Sequence, residues 1–297
     1  VLPGLIFQSV VIAGGYATGR ELVEFFLSNG PRGGAMGMLV AALVWGAVLA
    51  LSFEFARRFK SYNYKHFFQN LLGRWWFIYE IAYLIALLLI LSVIGAAAGV
   101  LVSETFGVSA NIGTIGLIAT IGLLTFYGSS LIEKVLASWS ILLYVTYAAF
   151  LILGFVHFGD RISSGFSIAE EGTSWAFEGV QYASYNLAIV PTILFCIRHL
   201  ASSKETISAG FLAGVLAIIP GILFYCVMVG FYPRILEESV PINLILSEMN
   251  IPLFQILFQV VVFGTFIETG TALLHALNER LAASFEDQQK QMPAWLR

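Results

Sequence analysis

Eight runs of mostly apolar residues divide this chain, at roughly 2–28, 34–56, 76–102, 111–128, 132–157, 174–198, 207–232 and 251–277. Crossing the hydrocarbon core of a bilayer takes about 20 such residues in a helix. Lipid offers no partner to an unpaired peptide group, so a span of this length must satisfy its own backbone, which a helix does. The runs therefore predict an all-α integral membrane protein with about eight transmembrane helices. Composition agrees, with 59% hydrophobic residues, 11% charged and a mean hydropathy of +0.86, whereas a soluble domain carries about a quarter charged residues. Nothing reads as a soluble domain or linker, so 1–297 is taken as one transmembrane domain. Two stretches between runs look amphipathic: "RRFKSYNYKHFFQNLLGRWW" (57–76) predicts a helix on the membrane surface, and "EESVPINLILSEMN" (237–250) a short re-entrant or surface helix.

The basic residues give an orientation. With the N-terminus in the cytoplasm, 11 of the 15 Lys and Arg fall in inner loops, 3 in outer loops (Arg32, Arg161 and Arg234), and Arg20 lies within the first run. Cytoplasmic loops concentrate such residues, so the chain is expected in a bacterial cytoplasmic (inner) membrane with both ends inside. The first run is too long for a signal peptide and lacks a cleavage site, and Val1 is taken to follow a short missing leader. A net charge of −3 gives no footing for nucleic acid, and Cys196 and Cys226 sit in separate apolar runs. His66, His157, His199 and His275 are far apart, so no metal centre is expected. No catalytic constellation can be assembled, and no enzymatic activity or cofactor is expected.

The first run carries an anomaly. "VVIAGGYATGRELVEFF" (10–26) places Gly14, Gly15 and Gly19 near mid-span, followed directly by Arg20, Glu21 and Glu24. Glycine weakens a helix, and broken backbone at membrane depth is tolerated only where it is buried in protein or lines a cavity. The helix is expected to unwind here, freeing carbonyls on one side and amides on the other. The second half-helix would begin near Thr18 or Gly19, its N-terminus favouring an anionic group.

Transporters built from inverted repeats predict a matching break one repeat later. If the repeat is five helices, the partner is the sixth run, "FEGVQYASYNLAIVPTILF" (177–195), with Gly179, Tyr182, Ser184, Tyr185, Asn186 and Pro191. Its loose, polar part is expected from Tyr182 to Ala188.

On these residues the chain resembles the amino acid–polyamine–organocation superfamily with its LeuT-type fold. "GGYATGRELVEFFLSNGPRGGAMG" is similar to that family's first-helix pattern, a glycine-rich break followed six residues on by arginine and then by an Asn-Gly outer turn: here Gly14, Arg20 and Asn29-Gly30. "GAVLALSFEFARR" keeps a family-like glutamate as Glu54. More narrowly, the chain resembles the YkvI-like bacterial membrane proteins. The resemblance implies ten core helices in two inverted five-helix halves, here 1–157 and a partial second repeat at 174–297. Two C-terminal core helices would be missing after Arg297, either truncated or dispensable. It also implies discontinuous helices one and six, a solute between them, and helices one, two, six and seven rocking against the rest.

The expected solute site is therefore Gly14, Gly15, Tyr16, Ala17, Thr18 and Gly19 with Tyr182, Ser184, Tyr185 and Asn186. "FGTFIETGTALLHAL" (263–277) puts a lone carboxylate, Glu268, in the eighth run beside Thr265, Thr269 and Thr271. An intramembrane acid must be protonated, paired or cation-bound. In LeuT-type relatives helix eight faces the first break and helps hold a coupling sodium. Ala13, Tyr16, Thr265, Glu268 and Thr269 are thus the expected ion-coupling set, for sodium or a proton. Arg20 is the expected gate residue; symporter relatives supply its acidic partner from the tenth helix, and here Glu24 or Glu178 would serve. Glu54 reads as an anchor to neighbouring backbone. The function expected is ion-coupled symport of a small solute, an amino acid or related compound, by alternating access. The alternative is a receptor that uses a transporter fold to sense a nutrient without carrying it.

Overall fold

The computed structural model describes residues 2–12, 16–127, 129–169 and 172–287. Among them there are helices and turns but no strand. The α-helices are α1 (Leu2–Val11), α2 (Arg20–Phe25), α3 (Gly30–Phe59), α4 (Tyr64–Leu72), α5 (Phe77–Phe106), α6 (Ala110–Tyr127), α7 (Ser129–Phe166), α8 (Trp175–Asn186), α9 (Ser203–Val229), α10 (Pro241–Met249) and α11 (Pro252–Asp287). Five helical stretches among the described residues are long and apolar enough to cross a bilayer: Arg20–Phe59 (chiefly α3), Phe77–Phe106, Ile141–Phe166, Ser203–Val229 and Pro252–His275; Ala110–Phe126 is shorter. Large apolar side chains stand exposed along them, Leu51 at 71%, Val156 at 75% and Leu253 at 80%. Such exposure is costly in water and neutral against lipid tails.

The first and sixth runs are not continuous α-helices. The first is divided between α1 and α2. The sixth changes winding: α8 ends at Asn186 and a 3₁₀ helix runs from Leu187 to Ile197. The expected loosening from Tyr182 to Ala188 is thus corrected, since Tyr182–Asn186 is regular α-helix and the change falls after it. A proline at 191 has no amide hydrogen to return to residue 187, the position at which the winding tightens. The two amphipathic connections form short helices, α4 and α10. Asn63 starts α4 by accepting the His66 amide hydrogen at 2.9 Å, a side-chain cap.

The chain divides into two compact units. One is Val1–Tyr83 with Leu151–Asn250, the other Leu84–Phe150 with Ile251–Arg297. This division cuts across the expected halves 1–157 and 174–297.

In the first unit α3 and α9 are in backbone contact. A Cβ on Gly210 would overlap the Ala50 amide, and one on Gly214 would come within 2.6 Å of the Gly46 nitrogen. Likewise a Cβ on Gly179 would meet the Gly37 carbonyl, so α8 lies equally close to α3. Near the C-terminal end of α3, Glu54 joins that helix to α9. It accepts from Arg57 (2.8 and 2.9 Å), Arg58 (2.6 Å), Ser203 (2.7 Å) and Thr206 (2.7 Å). Its partners are side chains, not the backbone groups the sequence led us to expect. Pro220 lies inside α9, and a proline leaves the carbonyl four residues earlier without its helical donor. That carbonyl, of Leu216, accepts from Gln8 of α1 at 2.6 Å.

In the second unit small residues serve close packing. The Thr114 hydroxyl of α6 donates to the Gly95 carbonyl of α5 at 2.8 Å, and a Cβ on Gly113 would come within 2.5 Å of the Ala98 carbonyl. The Trp139 indole of α7 lies on Gly264 of α11 and donates to the Val261 carbonyl at 3.2 Å.

Candidate functional site

The α-helix stops at Val11 and resumes at Arg20. Ala13, Gly14 and Gly15 lie outside the described residues. Tyr16 to Gly19 make a tight bend, in which the Gly19 amide donates to the Tyr16 carbonyl at 3.1 Å. Gly19 takes φ +78°, a left-handed conformation that favours glycine. A Cβ there would also sit 3.2 Å from Met228 Cε and 3.3 Å from both Phe224 Cζ and Pro241 Cβ. Two groups freed by the bend are satisfied locally: the Thr18 carbonyl accepts the Ile242 amide hydrogen at 3.1 Å, and the Thr18 hydroxyl accepts the Arg20 amide at 3.2 Å. The half-helix α2 is six residues long and carries its own acid, Glu21, in the first turn.

Tyr16 and Tyr182 are both fully buried, their rings stacked with centroids 6.5 Å apart. Tyr182 is the hub of an aromatic cluster, with Phe26 at 4.9 Å, Phe25 at 5.3 Å, Trp45 at 5.6 Å and Tyr185 at 5.8 Å. A Cβ on Gly221 of α9 would run into the Tyr16 ring, so glycine at 221 makes the seat for that side chain. Trp45, fully buried in α3, donates its indole N–H to the Ala183 carbonyl of α8 at 3.1 Å.

Two of the expected solute contacts are otherwise engaged. Asn186 donates to the Tyr182 carbonyl at 3.0 Å, and the Ser184 hydroxyl to the Val180 carbonyl at 2.7 Å. Ser184 is also exposed while Tyr182 and Ala183 beside it are buried, so it stands outside the aromatic cluster.

Of the expected gate residues, Arg20 pairs with Glu24 at 3.3 Å and donates to the Glu238 carbonyl at 3.2 Å. Glu178 bonds to Asn29 instead, at the outer turn. The expected ion-coupling set divides between the units. Tyr16 belongs to the first. Thr265, Glu268 and Thr269 belong to the second, on α11. Thr265 is fully buried and gives its hydroxyl hydrogen to the Val262 carbonyl at 2.6 Å, which leaves oxygen lone pairs free to accept. The Thr269 hydroxyl oxygen is buried with no hydrogen-bond partner among the described residues.

Sequence reasoning passed over Glu21, Trp45 and Ile242. The signal for Glu21 was present: Arg20 and Glu24 are four apart and share a face, which puts Glu21 in register with Phe25 on the next.

Comparison with known proteins gives one informative similarity. The chain is 27% identical over 219 residues to the uncharacterised membrane protein YkvI of Bacillus subtilis (strain 168), covering 70% of this chain and 60% of YkvI. It is a membrane protein. The chain spans about 60% of the length of that relative. No family model matches it, and no solved structure does.

Proposed function

We propose that this membrane protein is an ion-coupled secondary transporter of a small organic solute, an amino acid or related compound, working by alternating access on a LeuT-type fold. The reading places it in a bacterial cytoplasmic membrane with its N-terminus inside. It rests on one observation above all, the Tyr16–Gly19 bend that leads into α2 beside the buried Tyr182 of α8. Solutes of inverted-repeat transporters bind where interrupted helices meet near the midplane. The change of winding at Leu187, in the span one five-helix repeat later, adds support. So does the division of the chain: the first, second, sixth and seventh spans fall in one compact unit, and most of the third, the fourth and the eighth in the other. That is the grouping a rocking mechanism calls for.

On this reading the solute lies against the Tyr16–Gly19 bend and α8, with Arg20 and Glu24 toward the outside. Sodium or a proton is the coupling ion. The hard oxygens of Thr265, Glu268 and Thr269 on α11 suit either.

The test is uptake into proteoliposomes made with the full-length protein, using a radiolabelled panel of amino acids and amines under imposed sodium or pH gradients. Accumulation that collapses with the matching ionophore supports symport. No flux under either gradient, with solute still raising the melting temperature, overturns transport in favour of a receptor.

A further inference from the structure

The connection between α3 and α5 carries charge of one sign. From Phe55 to Tyr79 there are five Lys and Arg and no acid. Arg57 and Arg58 are paired with Glu54. Lys60 and Arg74 are exposed and have no ion-pair partner among the described residues. The same holds for the exposed Arg198, which reaches this surface over the Tyr62 ring at 5.9 Å. Arg74 lies over the Trp75 ring at 5.3 Å. A guanidinium stacked on an aromatic face keeps its N–H fork for phosphate oxygens.

Large apolar side chains stand exposed among these charges: Leu71 at 50%, Trp75 at 51% and Phe59 at 56%. Phe59 adjoins Lys60, and Leu71 and Trp75 lie on either side of Arg74 in the chain. Water disfavours such exposure. The boundary between headgroups and acyl chains accepts it, and leaves the cations level with the phosphates.

The surface is also fixed in place. Phe67 of α4 is turned inward, 5% exposed, against Phe55 at 5.2 Å. Phe68 stacks on Tyr79 at 3.9 Å, and the Tyr79 hydroxyl donates to the Ala188 carbonyl at 3.1 Å. Asn70 donates to the Ser61 hydroxyl at 2.6 Å. The short helix is thus tied to α3, to α5 and to the 3₁₀ helix of the sixth run. Little ordering remains to oppose binding on its outward side.

We propose that α4 and the 3₁₀ turn Gly73–Trp75, with Lys60 and Arg198, form a docking surface for the headgroups of anionic phospholipids. In a membrane protein the partner that meets both the unpaired cations and the exposed rings is the lipid surface. The assignment does not rest on the transport reading.

The test is native mass spectrometry of the full-length protein from neutral detergent micelles, titrated with phosphatidylglycerol or with phosphatidylcholine of the same acyl chains. Phosphatidylglycerol is expected to be retained in preference, and the preference should shrink as ionic strength is raised. Each cation at an anionic lipid surface changes binding about fivefold. Lys60→Gln, Arg74→Gln and Arg198→Gln together should therefore weaken phosphatidylglycerol about a hundredfold. Arg32→Gln, exposed near the opposite end of α3, should leave retention unchanged. Equal retention of the two lipids by the unmutated protein overturns the proposal whether or not any variant folds. So does an undiminished phosphatidylglycerol preference in a triple variant with an unaltered melting temperature. Retention of glycerol 3-phosphate alone, or of polyglutamate more tightly than phosphatidylglycerol, also overturns it, and assigns the cations to a soluble phosphate compound or to an acidic protein.

Discussion

Ile242 donates its amide hydrogen to the Thr18 carbonyl at 3.1 Å. The Tyr16–Gly19 bend is therefore capped by the first turn of α10, the short helix between α9 and α11. A backbone group that lipid could not satisfy is satisfied by protein. The bend is held as a defined turn with Gly19 as its pivot.

Gly19→Ala tests that pivot. The φ of +78° and the neighbours at 3.2–3.3 Å oppose a side chain. A left-handed residue costs about 1–2 kcal/mol, and the contacts add to it. The expected outcome is a lower melting temperature in detergent, together with faster hydrogen exchange at residues 16–25 and 240–245. Exchange unchanged at both segments would mean that the bend does not depend on glycine.

Glu54→Gln should loosen the contact between the C-terminal end of α3 and the first turn of α9. Arg57, Arg58, Ser203 and Thr206 would lose the negative charge and one of the two acceptor oxygens of a side chain that is only 12% exposed. Removing one partner from such a network costs about 2–4 kcal/mol. Chemical unfolding in mixed micelles measures it, and a change below about 0.5 kcal/mol would reduce Glu54 to a surface ion pair.

Gly264→Val should displace the Trp139 indole, because even a Cβ at 264 overlaps its ring. Overpacking costs about 1–3 kcal/mol, and the Trp139 bond to Val261 is lost as well. Trp139→Ala in the same background should restore part of the stability. If the double variant is no more stable than the single one, the two residues are not in contact.

Acid sensitivity is expected where Glu248 of α10 meets Arg161 and Arg234. Arg161 and Arg234 hold the Glu248 carboxyl below the usual glutamate range, which is about 4.3. A depressed folded value stabilises the protein above the unfolded value, and this is lost as pH falls through the folded one. For a pair this exposed the contribution is about 1 kcal/mol or less. Melting temperature followed from pH 7 to pH 3 should fall less steeply in Glu248→Gln than in wild type. Parallel profiles would discard the assignment.

On the proposed transport reading, Glu268→Gln should reduce gradient-driven uptake at least about tenfold, as expected for one lost charge-assisted contact, without abolishing solute binding. Unaltered ion dependence would remove Glu268 from coupling.

Much of this architecture was legible because lipid imposes simple rules. Long apolar runs announced the helices, and the Gly14–Gly19 region announced a break, of which the described part is the Tyr16–Gly19 bend ahead of α2. What stayed hidden depends on tertiary partners. No pattern in "EESVPINLILSEMN" reveals that the Ile242 amide reaches Thr18. The position of Pro191 was read as softening the residues before it, whereas the α-helix persists through Asn186 and tightens afterwards. Residue type did not show that Ser184 and Asn186 each donate to the carbonyl four residues back, as polar side chains in a helix readily do. Glu21 was overshadowed by Arg20 and Glu24, whose mutual pairing is what leaves it apart.

The glycine seam between α3 and α9 limits how this protein can move. With the peptide planes of Gly46 and Ala50 laid on Gly214 and Gly210, no layer of side chains remains to yield, and lengthwise shear would drive main chain into main chain. The pair must travel as one beam. Whatever changes shape near Tyr16, which rests on Gly221 of that beam, must either tilt both helices together or be absorbed at the swivel beside Gly19.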